Sequence, residues 1–230
     1  MGTGVSLDVP AAKDEAIFEE VFKLLRKIDE RFSSYKKNSE LARYQRGEVG
    51  LSEEMATIKK ACTKFERLTD GYFSAYFSGK FDPTGYVKGW AIAEAGKLLD
   101  KKGIKTFCMS IGGDILARSD GNKEWKIGIQ DPTDSKKILN KLSIFSGAVA
   151  TSGNYERGQH IINPKTGRPA DELLSVTVVG PDIITADALA TACFAMGNNS
   201  IEFLNQQKNY EAVIVTRLGK LLKTDSLDLN

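Results

Sequence analysis

One stretch constrains this chain more than any other: Thr185 to Gly197, TADALATACFAMG. Small residues throughout and a glycine at the end are the composition of a helix closed at its C-terminus. A helix places Asp187 and Thr191 one turn apart on the same face. A carboxylate and a hydroxyl stacked this way, just after the turn Gly180-Pro181-Asp182, offer two hard oxygen ligands to Mg²⁺ or Ca²⁺. The spacing also has a second reading, in which Thr185 or Asp187 caps the helix N-terminus and Thr191 is a small core residue. The helix alone leaves both open.

At 230 residues the chain can bury a core without staples. It reads as one domain, 1–230, with a helix-rich half to about 103 and a strand-rich half from about 104. A net charge of +2, from 32 basic and 30 acidic residues, carries no nucleic-acid footprint. Cys62, Cys108 and Cys193 are odd in number, far apart and without metal spacing, which argues against a disulfide framework or a zinc site and points to a reducing compartment. No run approaches the roughly 20 apolar residues that span a bilayer, so membrane insertion is not expected. MGTGVSLDVP has neither the basic nor the apolar region of a signal peptide. The expected location is the cytoplasm, or the chain has lost an export leader.

Val5, Leu7 and Val9 alternate as in a strand. Residues 12–32 place Ile17, Val21, Leu24, Leu25, Ile28 and Phe32 on one helical stripe, expected to pack on a sheet. Ser39-Glu40 can open a short helix, and Ser52-Glu53-Glu54 a longer one that stops before Thr69-Asp70-Gly71. Tyr72 to Phe81 is aromatic and irregular. Pro83-Thr84-Gly85 then turns into a helix ended by Gly103. Asp82 stands just before that helix and Lys88 in its first turns, where phosphates are favoured, although an exposed lysine is ordinarily only solvated.

From residue 106 the texture is mostly β. TFCMSIGGDILARS reads as strand, Gly-Gly-Asp corner, strand, and WKIGIQDP as another strand. LSIFSGAVATSG gives two short strands, Asn163 to Pro169 a long turn, and Leu174 to Gly180 a strand. A last helix from Asn199 to Gln206, the strand AVIVTR and a short LLKT segment follow, with a frayed tail from Asp225. The class is α+β, helices packed on largely antiparallel sheets.

Several chemistries are excluded. A single histidine rules out a His-rich metal site, and a Ser-His-Asp triad could use only His160. Neither G-x-S-x-G nor G-x-x-x-x-G-K-[ST] occurs. Gly-Gly-Asp is too short to specify a nucleotide fold and reads equally as a tight corner between strands.

An ordered set of motifs carries a resemblance. Met1-Gly2-Thr3, FSSY at 32–35, LTDGYF at 68–73, DPTGYVKGWA at 82–91, IGGDI at 111–115, ATSGNYER at 150–157, HIINPKTGRP at 160–169 and ADALATA at 186–192 extend over nearly the whole chain. Together they resemble the FAD:protein FMN transferase (ApbE) family.

The resemblance implies an α+β fold with the nucleotide held between its halves. It implies an enzyme that binds FAD with Mg²⁺, cleaves the pyrophosphate, and joins FMN by a phosphoester to a Thr or Ser of a target protein, in a motif of the Asp-x-x-Thr/Ser type, releasing AMP. Asp187 and Thr191 inherit the metal, with a backbone oxygen at Gly85. Asp82 and Lys88 lie along FAD. Flavin contacts fall at Met1, Tyr35, Tyr72, Phe73, Ser74 and Ile161. Where the family has Asp, Gly, Tyr and Asp, this chain has Ser74, Thr84, Trp90 and Asn163, and only about ten residues separate Phe73 from Asp82.

The residues fit that chemistry independently. Phosphoryl transfer to an alcohol needs positioning and charge neutralisation, which Lys88 can supply. The alcohol needs a base near neutrality, and His160 is the one residue with such an ordinary pKa; a lone histidine is otherwise structural. Two further readings stay open: a non-catalytic flavin-binding protein with a shortened pocket, and an FAD pyrophosphatase giving FMN and AMP.

Overall fold

The computed structural model describes residues 3–10, 15–76, 79–154, 158 and 161–227. Strand β1 (Val5–Asp8) leads to α1 (Ala16–Phe32), α2 (Glu40–Gln45) and α3 (Glu53–Leu68). Ser39 and Ser52 cap the latter two, their hydroxyls accepting from the N–H of Ala42 at 3.0 Å and of Met55 at 3.3 Å. Arg31 of α1 ties the three helices together through ion pairs with Glu40 and Glu54. The amphipathic stripe of α1 packs chiefly on helices, first α4 (Thr84–Lys101) and then α2, rather than on a sheet as its pattern suggests. The stripe records only that one face is buried, not what buries it.

The strand-rich part begins with β2 (Phe107–Ile111) and β3 (Asp114–Arg118), joined at Gly112-Gly113, both with positive φ. β4 (Trp125–Asp131) and β5 (Asp134–Ile144) form a separate hairpin. β5 has eleven residues where a short strand is expected, because its exposed lysine-rich half lacks an apolar alternation and is held by pairing with β4. β6 (Gly147–Gly153), the small hairpin β7 (Ile162–Asn163) and β8 (Arg168–Pro169), and β9 (Leu173–Gly180) follow. After α5 (Ile183–Met196) and a 3-10 turn over Gly197–Asn199 come α6 (Ser200–Asn205), β10 (Glu211–Thr216) and β11 (Leu221–Lys223).

Seven strands form one sheet in the order β1-β2-β3-β6-β9-β10-β11, antiparallel at every step. Side chains alternate between its faces. Leu116, Ala148, Ala150, Val176, Val178 and Ile214 join the main core beneath α4 and α5. Ile115, Val149, Val179 and Val213 point the other way and meet Ile127, Ile129 and Leu142 of the β4–β5 hairpin. Leu227 is buried in that second cluster, so the tail is packed at least that far rather than frayed from Asp225.

Helix α5 is apolar all round, the signature of a helix buried on every side. Eleven of its fourteen residues are buried, against α4, β6 and β9. Its cap is Asp182, whose Oδ1 accepts from the N–H of Thr185 at 2.8 Å and from its hydroxyl at 2.7 Å. Neither Thr185 nor Asp187 is the cap, because the helix begins two residues earlier than its small-residue run. Among the described residues, no helix is long and apolar enough to cross a membrane.

Candidate functional site

The N-terminal turns of α4 lie beside the middle of α5, and two glycines permit the approach. A Cβ on Gly89 would lie 3.0 Å from the Ile183 carbonyl oxygen and from the Asp187 Cβ. A Cβ on Gly85 would lie 3.6 Å from Cγ2 of Thr191. Gly85 and Gly89, one turn apart, thus face Thr191 and Asp187, also one turn apart. The Gly89 N–H donates to Asp187 Oδ2 at 2.8 Å, which explains how a carboxylate only 2% exposed is tolerated in an apolar helix.

The second side of the site is the sheet. Asp114 opens β3 opposite Ile111 and shares the helix-facing side with Leu116. It is fully buried. Its Oδ1 accepts from the Thr151 N–H of β6 at 3.1 Å, and its Oδ2 lies 2.8 Å from Lys88 Nζ. The same ammonium lies 3.5 Å from Asp187 Oδ1. Lys88 is therefore no solvated surface lysine: it bridges two buried carboxylates at the cleft floor. Burial pushes the Asp114 carboxyl up to about 7, with Lys88 opposing the rise and Asp187 adding to it. The Thr191 hydroxyl is 3.3 Å from that of Ser152.

A cleft of about 370 Å³ opens over this cluster. Tyr35, Tyr72, Phe73, Ser74, Asp82, Gly85, Lys88, Ile161, Asp187 and Thr191 all line it, although they come from five separate stretches of the sequence. Tyr35 stands at the rim, 78% exposed, whereas Phe73 is buried against Phe65 with ring centroids 5.9 Å apart. The Lys165 ammonium lies 4.2 Å above the Tyr72 ring and 2.6 Å from Asp70. Asp82 Oδ1 accepts from the Thr84 N–H at 3.0 Å where the chain enters α4. Met1 and His160 lie outside the described residues.

Three of the four substituted motif positions have a side-chain partner. The Ser74 hydroxyl donates to Glu66 Oε1 at 3.1 Å, and the Asn163 amide donates to the Ala195 carbonyl at 2.9 Å. Trp90 meets Phe32 edge to face at 5.5 Å.

Asp114 joins the site although its sequence marks it only as part of the Gly-Gly-Asp corner. Its signal was a lone charge in the apolar run IGGDI, which a corner residue explains equally well until burial is known. Thr3, from the Met1-Gly2-Thr3 motif, also lines the cleft, as do Gly128 and Gln130 of the β4–β5 hairpin, which no local pattern marks.

The model of the ApbE family matches residues 1–79 and 78–214. An FAD:protein FMN transferase from Escherichia coli is 29% identical over 192 residues, covering 75% of this chain and 55% of that protein. The chain thus spans about half the length of this relative. The ApbE protein from Thermotoga maritima superposes with a TM-score of 0.85 at 24% identity, covering 98% of this chain and 94% of the other. The flavin transferase ApbE from Vibrio cholerae gives 0.81 at 23% identity, with 98% and 95% covered. At these identities the two superpositions establish the fold.

Proposed function

The chain belongs to the ApbE family, and from that premise we propose that it transfers FMN from FAD to a Thr or Ser hydroxyl of a target protein in a Mg²⁺-dependent reaction. The observation that carries this reading is the meeting of Asp82, Lys88, Asp187 and Thr191 with the aromatic residues Tyr35, Tyr72 and Phe73 in one cleft. A dinucleotide needs such a mixture, charge for its phosphates and apolar surface for its ring.

In the proposed reaction the target's hydroxyl oxygen attacks the phosphorus of the FMN half. A phosphoester bond forms, the bond from that phosphorus to the bridging oxygen breaks, and AMP leaves with the bridging oxygen. The hydroxyl proton passes to a base, for which His160 in HIINP is the proposed residue. The Lys88 ammonium supplies positive charge toward the phosphates, held in place by Asp114 and Asp187. Tyr35, Tyr72, Phe73, Ser74 and Ile161 are the proposed flavin wall, and Asp82, with Lys88, is proposed to lie along FAD.

The donor set fits a hard divalent cation: a buried carboxylate and a hydroxyl line the cleft one turn apart, with the Gly85 backbone across from Thr191. Among the described residues, no group of three or more His, Cys, Asp or Glu is gathered to hold an ion. Water, and the FAD phosphates when FAD is bound, would complete the shell. Asp187, Thr191 and the Gly85 carbonyl would hold Mg²⁺, which when bound neutralises phosphate charge. All three cysteines are free thiols, in keeping with a cytoplasmic site of action.

The test is to mix the protein with FAD, Mg²⁺ and a domain bearing an Asp-x-x-Thr segment. Transfer yields a flavin-fluorescent band that survives denaturation. Release of FMN and AMP without a band identifies a pyrophosphatase, and bound but uncleaved FAD identifies a binding protein.

A further inference from the structure

Lys88 stands between two carboxylates, and only one of them belongs to the proposed cation site. Its Nζ lies 2.8 Å from Asp114 Oδ2 and 3.5 Å from Asp187 Oδ1. The other Asp187 oxygen, Oδ2, already accepts the Gly89 N–H at 2.8 Å. Oδ1 is thus the oxygen that a cation and the lysine must contest, since both are positive and seek the same lone pairs.

The two acids differ in what else they can do. Asp114 is fixed: fully buried, at the start of a central strand, with Oδ1 held by the Thr151 N–H at 3.1 Å. Lys88 is the mobile partner, a point charge on a flexible four-carbon stem whose side chain is 25% exposed toward the cleft. Movement of the ammonium away from Asp187 leaves it beside Asp114, already the nearer of the two carboxylates.

We propose that Asp114 is a positioning residue that draws Lys88 off Asp187 and so sets how readily a divalent cation is taken up there. This inference rests on the metal reading above. Asp114 acts through the lysine and does not itself hold the ion.

Mn²⁺ binding to the 230-residue chain without FAD at about pH 8, where the Asp114 carboxyl is mostly ionised, read from the loss of the free-ion EPR signal, tests it. Asp114→Asn is expected to weaken binding by about fivefold or more, and Lys88→Met to tighten it, within the range of ordinary coupling effects. In the Lys88→Met background, Asp114→Asn is expected to change binding by less than about twofold, as a double-mutant cycle requires of a residue acting through its neighbour. Equal loss in both backgrounds would make Asp114 a ligand or a direct field on the ion and overturn the proposal alone. Mn²⁺ binding unaffected by Asp187→Ala would overturn the metal reading and this inference with it. Lys88→Gln, checked by its melting curve, repeats the cycle if Lys88→Met does not fold.

Discussion

Gly89 gives its backbone N–H to Oδ2 of Asp187 at 2.8 Å, joining the second turn of α4 to the buried side of α5 across 98 positions of sequence. In a regular helix that N–H would be directed to the Gly85 carbonyl. Here it also fixes the acid, whose other oxygen is left toward Lys88 and the cleft.

Gly89→Ala tests the approach of the two helices. Alanine would gain about 0.5–1 kcal/mol of helix propensity. The new methyl would sit 3.0 Å from a backbone oxygen that cannot swing aside, and overpacking of this kind costs about 1–3 kcal/mol. The clash wins, and a fall in Tm of about 2–8 °C is expected from differential scanning calorimetry. Gly85→Ala should be milder, because its nearest neighbour is the edge of the Phe73 ring at 3.3 Å. A Gly89→Ala protein as stable as wild type would show that the helices have room to part.

Asp187→Asn tests the charge at the candidate metal position while keeping the side chain's size. FMN transfer at ordinary Mg²⁺ is expected to fall about 100-fold or more, the loss of some 3 kcal/mol of transition-state stabilisation. Far-UV circular dichroism should stay that of the wild type. Transfer at wild-type rates would remove Asp187 from the mechanism.

Asp114 predicts a direction of pH dependence. Burial raises its carboxyl to about 7, so the folded protein keeps a proton that the unfolded chain gives up near pH 4. A group of this kind favours the fold below its unfolded pKa, and the contribution is lost as pH rises through the folded one. The Tm difference between wild type and Asp114→Asn should therefore shift in favour of wild type between about pH 8 and pH 5. A constant difference over that range would mean that Asp114 titrates like an ordinary carboxylate.

Thiol reagents should find little to attack. Burial holds the Cys62 thiol at about 12 and that of Cys108 at about 11, and pushes the fully buried Cys193 upward as well. At about pH 8 well under one thiol in a hundred is then ionised, and the thiolate is the reactive form. Ellman's reagent should label the native protein slowly and all three cysteines once guanidinium is added. A rapidly labelled native thiol would reveal an opening of the core.

Local sequence determined what depends on short-range geometry. Helical periodicity is a property of neighbouring residues, so the stripe of α1, the serine caps of α2 and α3, and the shared face of Asp187 and Thr191 could be read directly. The order of motifs also carried the family. Tertiary packing decided which charges meet and what each apolar face covers. Nothing near Lys88 in sequence marks Asp114 as its partner, because that contact exists only once β3 is laid under α4. Nor does the period-2 pattern of β4 say that it seals the outer face of a sheet formed by other strands. Burial is a property of the whole assembled chain. It placed a lysine that would ordinarily be solvated against a buried aspartate at the floor of the cleft.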